Sequence, residues 1–293
     1  MDPVRLAGLS PLFDLTRGSP EVVVGLIDGP VDVGHESLRG ASIRPVDQRH
    51  RPHCTDPNSP ECRHGTFVAG VLAAARGTNA PAICPDCTLL VRPVFAESTN
   101  RSPAPPRATP RQLASALRET ADAGARVINL SMAALRTAGP GEKALTEAFD
   151  ECARRDIVVV AAAGNDSLVG SSCITRHPWV VPVAASGAQG VPLAFSNLGS
   201  SISRRGLLAP GADIVSLGPR GRSTTVSGTS AAAPFVTGAV ALLLALFPRL
   251  AGRDVCAALV RASARRRTVV PPLLNAWTAY QELSVRANGR SPS

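Results

Sequence analysis

Residues Ser227 to Leu246 read SGTSAAAPFVTGAVALLLAL. The strictly apolar part, Ala231 to Phe247, is 17 residues interrupted by Thr237, with Pro234 in its first turn and Pro248 closing it. As a helix it would be about 25 Å long, short of the roughly 20 residues that comfortably span a bilayer. The flanks do not decide, since Arg220 and Arg222 lie on one side and Arg249 and Arg253 on the other. The small-residue start, Ser227-Gly228-Thr229-Ser230, followed by a proline where a first helical turn tolerates one, favours a soluble reading. A helix apolar all round is then the core of a large domain.

A chain of 293 residues can bury such a helix in one α/β domain. Hydrophobic content of 44% with 18% charged residues places it among globular proteins. The net charge is +9, yet of 31 basic residues only Lys143 is lysine. Arginine spread over the whole chain, with 3% aromatics, lacks the clustered basic and stacking residues of a nucleic-acid surface. No nucleic-acid or membrane partner is expected, and the charge serves at most weak attraction to acidic partners.

The start, MDPVRLAGLSPLFDLTRG, has Asp2 where a secretory signal is basic and lacks an apolar block of about 7–15 residues, which points to the cytoplasm. Seven cysteines pull the other way, and an odd count leaves at least one thiol unpaired. Cys54 and Cys62 bracket a loop, Cys84-Pro85-Asp86-Cys87 is a CxxC, and Cys152 and Cys256 read as small buried hydrophobes. A zinc site from Cys54, Cys62, Cys84 and Cys87 lacks ligand spacing in its first pair. Local disulfides, Cys54 with Cys62 for instance, are favoured, although spacing does not fix the pairing. No metal or other cofactor is expected.

Along the chain, strand-like runs alternate with helical ones. Val22 to Ile27, Thr88 to Phe95, Arg126 to Ser131, Ile157 to Ala162 and Trp179 to Ala185 are short, apolar and rich in β-branched residues. Helical patterns cover Gly65 to Ala75, Pro110 to Ala123 with Thr109 as N-cap, and Gly141 to Arg154. Alternation of this kind argues an α/β domain with a mostly parallel sheet. Residues 1–20 read as an N-terminal extension, 21–283 as the domain and 284–293 as a flexible tail. Glu97 to Thr109 is a proline-rich exposed loop.

Open parallel sheets place functional groups at the carboxyl ends of their strands. Asp28 directly follows a buried strand, where a carboxylate needs a positive or hydrogen-bonding partner; the bland alternative is a turn aspartate before Gly29-Pro30. His64 sits where a helix begins, and Gly65-Thr66 would let a backbone approach closely; a lone histidine at a helix start is more often a cap or surface residue. Asn165 ends another buried strand, either as a turn former or as an amide aimed at a developing negative oxygen. Ser230 opens the apolar helix, beside N–H groups suited to an oxyanion, with Ser227 and Thr229 competing as N-caps.

Together these signals resemble one family. The order Asp, His, Asn, Ser, with the phrases HGT, VVVAAAGN, SGTSAAAP and VINLS, is similar to the subtilisin-like serine proteases from about Val22 to Leu246. The resemblance implies a three-layer α/β/α sandwich with a mostly parallel sheet. It implies Ser230 as nucleophile, His64 as general base and then acid, Asp28 as the carboxylate orienting the imidazole, and Asn165 as oxyanion donor. A peptide substrate would lie as an extended strand against Asn129 to Ala134 on one side of the first pocket, with Ser131, Met132, Ala133, Ala134, Ala163 and Gly164 as substrate-binding residues and the loop Glu97 to Thr109 matching the opposite edge of the cleft. The family's common SLGG is here Ser131-Met132-Ala133-Ala134, so two glycines are replaced and the resemblance does not carry over the family's pocket size.

A narrower likeness joins LIDGPVDVGHESL, VPLAFSNLGSSISRRGLLAPGADI and SGTSAAAPFVTGAVALLLAL to the cyanobactin maturation proteases, which cut leader or follower segments from ribosomally made precursor peptides. With 27 residues before Asp28, neither a signal peptide nor a folding propeptide is expected, and the family's strong calcium loop has no recognisable counterpart around Ala75 to Pro81. Macrocyclase members carry an insertion that shields the acyl-enzyme from water. The 35 residues between Asp28 and His64 hold no obvious helical insertion, so hydrolysis is expected. A general intracellular protease and a catalytically inactive peptide-binding module are the competing readings.

Overall fold

The structure, a computed structural model, describes residues 2–47, 49, 52–95, 97, 108–131, 141–262 and 268–288. In chain order the first half forms α1 (Pro3–Leu6), α2 (Ser10–Phe13), β1 (Val23–Asp28), β2 (Ile43–Pro45), α3 (Pro60–Ala73), β3 (Thr88–Pro93), α4 (Pro110–Asp122), β4 (Val127–Leu130) and α5 (Glu142–Arg154). The second half forms β5 (Val158–Ala162), β6 (Val180–Ser186), α6 (Ser200–Arg205), β7 (Leu207–Pro210), β8 (Ile214–Gly218), β9 (Arg222–Val226), α7 (Thr229–Leu246), α8 (Gly252–Arg261) and α9 (Ala276–Asn288).

Seven strands form one sheet in the order β2-β3-β1-β4-β5-β6-β7, and every pairing in it is parallel. β8 and β9 form a separate antiparallel hairpin. Strand alternation sends side chains to two cores. Val24, Leu26, Val127, Val158 and Val160 face the layer of α3 and α7, while Ile27, Ile128, Leu130 and Val159 face α4 and α5. This is the expected α/β/α sandwich with a mostly parallel sheet. The order reverses direction at β1, so the crevice at a topological switch point opens beside the carboxyl ends of β1 and β4.

The apolar helix is α7. It is long and apolar enough to cross a membrane, but 83% of its residues are buried in the protein, where it packs on β4 to β7 and on α3. It starts at Thr229, earlier than the apolar run, so Pro234 stands in the second turn rather than the first. Its missing N–H leaves the Ser230 carbonyl without its intrahelical donor. Neither Ser227 nor Thr229 caps this helix: Gly228 is the N-cap and supplies no side-chain bond, and Ser227 Oγ instead donates to Asp213 at 3.0 Å.

Other boundaries also shift. α3 begins at Pro60 because Ser59 caps it, its Oγ accepting from Cys62 N–H at 3.1 Å, so His64 lies in the second turn and not at the helix start. The N-terminal extension is integrated in the core, with Leu9 and Leu12 fully buried and Arg76 donating to the carbonyls of Phe13 and Thr16. At the other end α9 carries helix to Asn288, past the tail boundary expected at Leu283, because Leu283 and Ala279 pack into the core and hold its last turns. Cys54 and Cys62 are joined as a disulfide, which removes both sulfurs from a four-cysteine zinc site. Cys152 is buried as expected; Cys256 is half-buried.

Candidate active site

Asp28 is the last residue of β1 and fully buried. Its Oδ1 accepts from Gly29 N–H at 2.6 Å and from His64 Nδ1 at 2.6 Å, while Oδ2 is buried without a partner among the described residues. A carboxylate so enclosed is costly unless a positive partner meets it. Two glycines make the contact geometrically available. A Cβ on Gly65 would lie 2.3 Å from the Pro30 carbonyl oxygen, and one on Gly29 would lie 2.1 Å from that of Glu61. α3 therefore crosses the end of β1 in near backbone contact, and His64 is delivered onto Asp28.

The imidazole is 24% exposed. Burial pushes its pKa down, but the Asp28 charge and hydrogen bond more than offset this and hold it above the ordinary histidine value. With Nδ1 bonded to the carboxylate, the proton resides there in the neutral ring, and Nε2 is left able to accept a hydrogen bond.

The second half of the site lies where β5 and α7 end and begin. Asn165 follows β5, and its Oδ1 accepts from Thr229 N–H at 2.9 Å and Thr229 hydroxyl at 3.0 Å. A backbone N–H can only donate, so the amide orientation is fixed and Nδ2 is turned away from the helix. A Cβ placed on Gly228 would be 3.1 Å from Asn165 Nδ2 and 3.6 Å from Ser230 Oγ, so amide and hydroxyl border the same small space. Ser230 is half-buried at the amino end of α7, and no hydrogen bond joins it to His64 among the described residues. Such bonds are often long in unliganded sites and tighten with substrate.

Asn129 is the next-to-last residue of β4, and Ser131 follows the strand. Asn129 is buried, accepting from the Thr237 hydroxyl of α7 at 2.8 Å and donating to Ser131 Oγ, so this strand end is tied to the central helix. Met132, Ala133 and Ala134 lie outside the described residues, as does most of the loop from Glu97 to Thr109. Ala163 lines a cavity of about 240 Å³ together with Leu168, Val169, Asn197 and Gly170 to Ser172, residues on either side of Asn165 in the chain.

Sequence reasoning singled out Asp28, His64, Asn165 and Ser230 but missed the residues that aim them. Thr229, which the sequence offers only as a competing cap, holds Asn165. Asn197 stood in the quoted phrase AFSNLG without a role; its Oδ1 accepts from Asp166 and Leu168 N–H at 3.0 Å each, and its Nδ2 donates to the Ala163 carbonyl at 3.2 Å. It thereby shapes the turn that carries Asn165.

Residues 19–283 match the model of the subtilase family, peptidase S8. The chain belongs to that family. Among curated relatives, this subtilase is 32% identical to subtilisin DY of Bacillus licheniformis over 243 residues, 80% of each chain. It is 35% identical to the thermophilic serine proteinase of Bacillus sp. (strain AK1) over 236 residues, 79% of this chain but 54% of that one. Among solved structures it superposes on a variant of the protease domain of PatA with TM-score 0.83 and 31% identity, over 92% of this chain and 97% of that one. The prenylagaramide maturation protease PagA gives TM-score 0.83 and 30% identity, over 94% and 98%. This subtilase is a serine endopeptidase with the subtilisin-like α/β fold.

Proposed function

We propose that this subtilase hydrolyses a peptide bond through an acyl-enzyme on Ser230 and that its substrate is a ribosomally made precursor peptide from which it removes a leader segment. The observation that carries the mechanism is the buried Asp28 carboxylate at 2.6 Å from His64 Nδ1. A serine hydroxyl is a weak nucleophile at neutral pH and needs an oriented base. In this reading Ser230 Oγ attacks the carbonyl carbon as its proton passes to His64 Nε2, and Asp28 stabilises the resulting imidazolium. The oxyanion is met by Asn165 Nδ2 and the Ser230 backbone N–H. His64 then protonates the departing amine, and the same base activates the water that releases the acyl group.

The substrate runs as an extended strand along the end of β4, and its residue before the scissile bond enters the cavity beside Asn165. That cavity's modest volume and partly apolar wall suit a small or medium side chain. The precursor-peptide reading rests on likeness to PatA and PagA, both at TM-score 0.83. Among the described residues between Asp28 and Ser59, the helical content is a single 3-10 turn, Glu36–Leu38, which favours hydrolysis over ring closure.

Fluorophosphonate labelling of the purified protein beside Ser230→Ala tests the nucleophile: stoichiometric labelling lost in the variant is expected. Mass spectrometry of a precursor-like peptide then tests the substrate. A single cut between leader and core is expected, whereas broad degradation of unfolded casein would favour the general protease to which likeness with subtilisin DY also points.

A further inference from the structure

The catalytic residues lie at the carboxyl ends of the strands. At the opposite, amino ends of β5 and β6 there is a separate cavity of about 520 Å³. Its floor is apolar: Val158 opens β5, Val180 and Val181 open β6, and Trp179 precedes them. One wall is α8, which presents Arg253, Cys256, Ala257, Val260 and Arg261. These positions are i, i+3, i+4, i+7 and i+8, the stripe by which a helix meets an apolar partner. The stripe is small and apolar in the middle and carries an arginine at each end, about 12 Å apart along the axis. The other wall is the end of α6, with Arg204 and Arg205.

Little negative charge answers these groups. Arg261 pairs with Glu282 at 2.9 Å, but Arg204, Arg205 and Arg253 have no ion-pair partner among the described residues. Arg205 spends Nη2 on the carbonyls of Thr175 and His177, at 3.0 and 3.1 Å. Burial, reinforced by the adjacent Arg204 charge, pushes the Arg205 pKa below the ordinary arginine value. Asp156, at the start of α8, has both carboxylate oxygens engaged by the backbone N–H groups of Gly252 and Arg253. Arginine is abundant over this whole chain, so charge alone selects nothing. What differs here is an apolar floor set between two walls whose guanidinium groups no carboxylate answers among the described residues, Arg253 on α8 and Arg204 and Arg205 on α6, a combination that suits a ligand with an apolar body and a carboxylate on either side of it.

We propose that this cavity docks a segment of the peptide substrate remote from the scissile bond, one in which two acidic side chains flank large apolar ones. The proposal rests on the peptide-processing reading above. A monocarboxylate such as a fatty acid would answer only one of the two arginine walls, whereas a segment with two separated glutamates, about 10 Å apart when seven residues apart on a helix, can answer Arg253 on α8 and Arg204 on α6 together. β5 separates the cavity from the catalytic end by about 17 Å, so on the order of ten extended residues would carry a chain around from one to the other.

The test is fluorescence anisotropy on the full chain carrying Ser230→Ala, which prevents cleavage. The probe is a fluorescein-labelled amphipathic dodecapeptide with two glutamates seven residues apart beside leucines, compared with its diglutamine counterpart. The glutamate peptide should bind about fivefold to tenfold more tightly, the size expected of two partly exposed ion pairs. Arg204→Glu with Arg253→Glu should abolish that preference, and Arg253→Gln alone should reduce it. Equal binding of the two peptides, or a preference that survives charge reversal, overturns the proposal. Hydrolysis of a short chromogenic peptide by the chain with Ser230 intact reads the protease function separately. Hydrolysis without a peptide preference sinks the docking site alone, and a preference without hydrolysis overturns the substrate as its source.

Discussion

Thr229 holds Asn165 by its amide oxygen, through the Thr229 N–H at 2.9 Å and the hydroxyl at 3.0 Å. The same hydroxyl accepts from Gly164 N–H at 3.1 Å, so its own proton is committed to Asn165. One threonine thus fixes which atom of the amide faces the space shared with Ser230. In acyl transfer an oxyanion is stabilised only by donors already in place, since reorienting a dipole during reaction costs what the dipole would contribute.

Thr229→Val removes one of the two bonds to Asn165 and should lower kcat about fivefold to tenfold, the worth of one hydrogen bond, with KM nearly unchanged. Thr229→Ser should restore most of the rate. Asn165→Ala removes the donor itself and should cost about 10²–10³ in kcat. Steady-state kinetics on a short chromogenic peptide checks all three, and a loss confined to KM would show that Asn165 serves binding instead.

The pH dependence follows from His64. Its pKa is held above the ordinary histidine value by Asp28, and in the proposed mechanism the imidazole must be neutral to act as base, so kcat/KM should rise with pH along a limb displaced upward from that of a free histidine. Asp28→Asn removes the cause of the upward shift; the limb should move to lower pH while kcat falls by about 10⁴. For stability the sign is opposite. A raised folded-state pKa contributes fully below the unfolded value and is lost as pH rises through the folded one, so Tm measured against His64→Ala should separate most on the acid side. An unshifted limb in Asp28→Asn would remove Asp28 as the cause.

Gly65 is where sterics and catalysis meet. Gly65→Ala would press a methyl to 2.3 Å from the Pro30 carbonyl oxygen, which must force α3 away from β1. A loss of about 1–3 kcal/mol in urea unfolding is expected, together with slower fluorophosphonate labelling. Gly34→Ala, whose added Cβ would meet its nearest neighbour at 3.5 Å, is the control and should change neither. Equal behaviour of the two variants would mean that α3 can shift without disturbing His64.

What was legible in the sequence is what local physics dictates. Apolar runs such as Val22 to Ile27 and Ile157 to Ala162 must be strands covered on both faces, and the candidate site residues at their ends follow from that. Thr109 with Pro110 gave the start of α4 because the capping box is entirely local. The β8–β9 hairpin was invisible because strand β9, Arg222–Val226, is polar and largely exposed and carries no hydrophobic pattern. The early start of α3 was hidden by a polar first turn, Pro60-Glu61-Cys62-Arg63, although Ser59-Pro60 was its signal. The aim of Asn165 depends on Thr229, 64 positions away, and no local rule reports such a pairing.

The Cys54–Cys62 disulfide closes a loop of sequence separation 8 that ends two residues before His64. By chain entropy a closure of that size contributes about 2–3 kcal/mol. The loop has a second tether: Glu97 accepts from Thr55 N–H at 2.7 Å, from Asp56 N–H at 2.9 Å and from Ser59 Oγ at 3.2 Å. The two restraints act on different states, since the disulfide limits the unfolded chain whereas the carboxylate orders the folded loop. Cys54→Ser should therefore lower the unfolding free energy in urea by about 2–3 kcal/mol while kcat/KM at 25 °C changes less than about threefold. Dithiothreitol should destabilise the native sequence by the same amount and leave Cys54→Ser unaffected. A large fall in kcat/KM with little loss of stability would mean instead that the disulfide, and not Glu97, sets the position of His64.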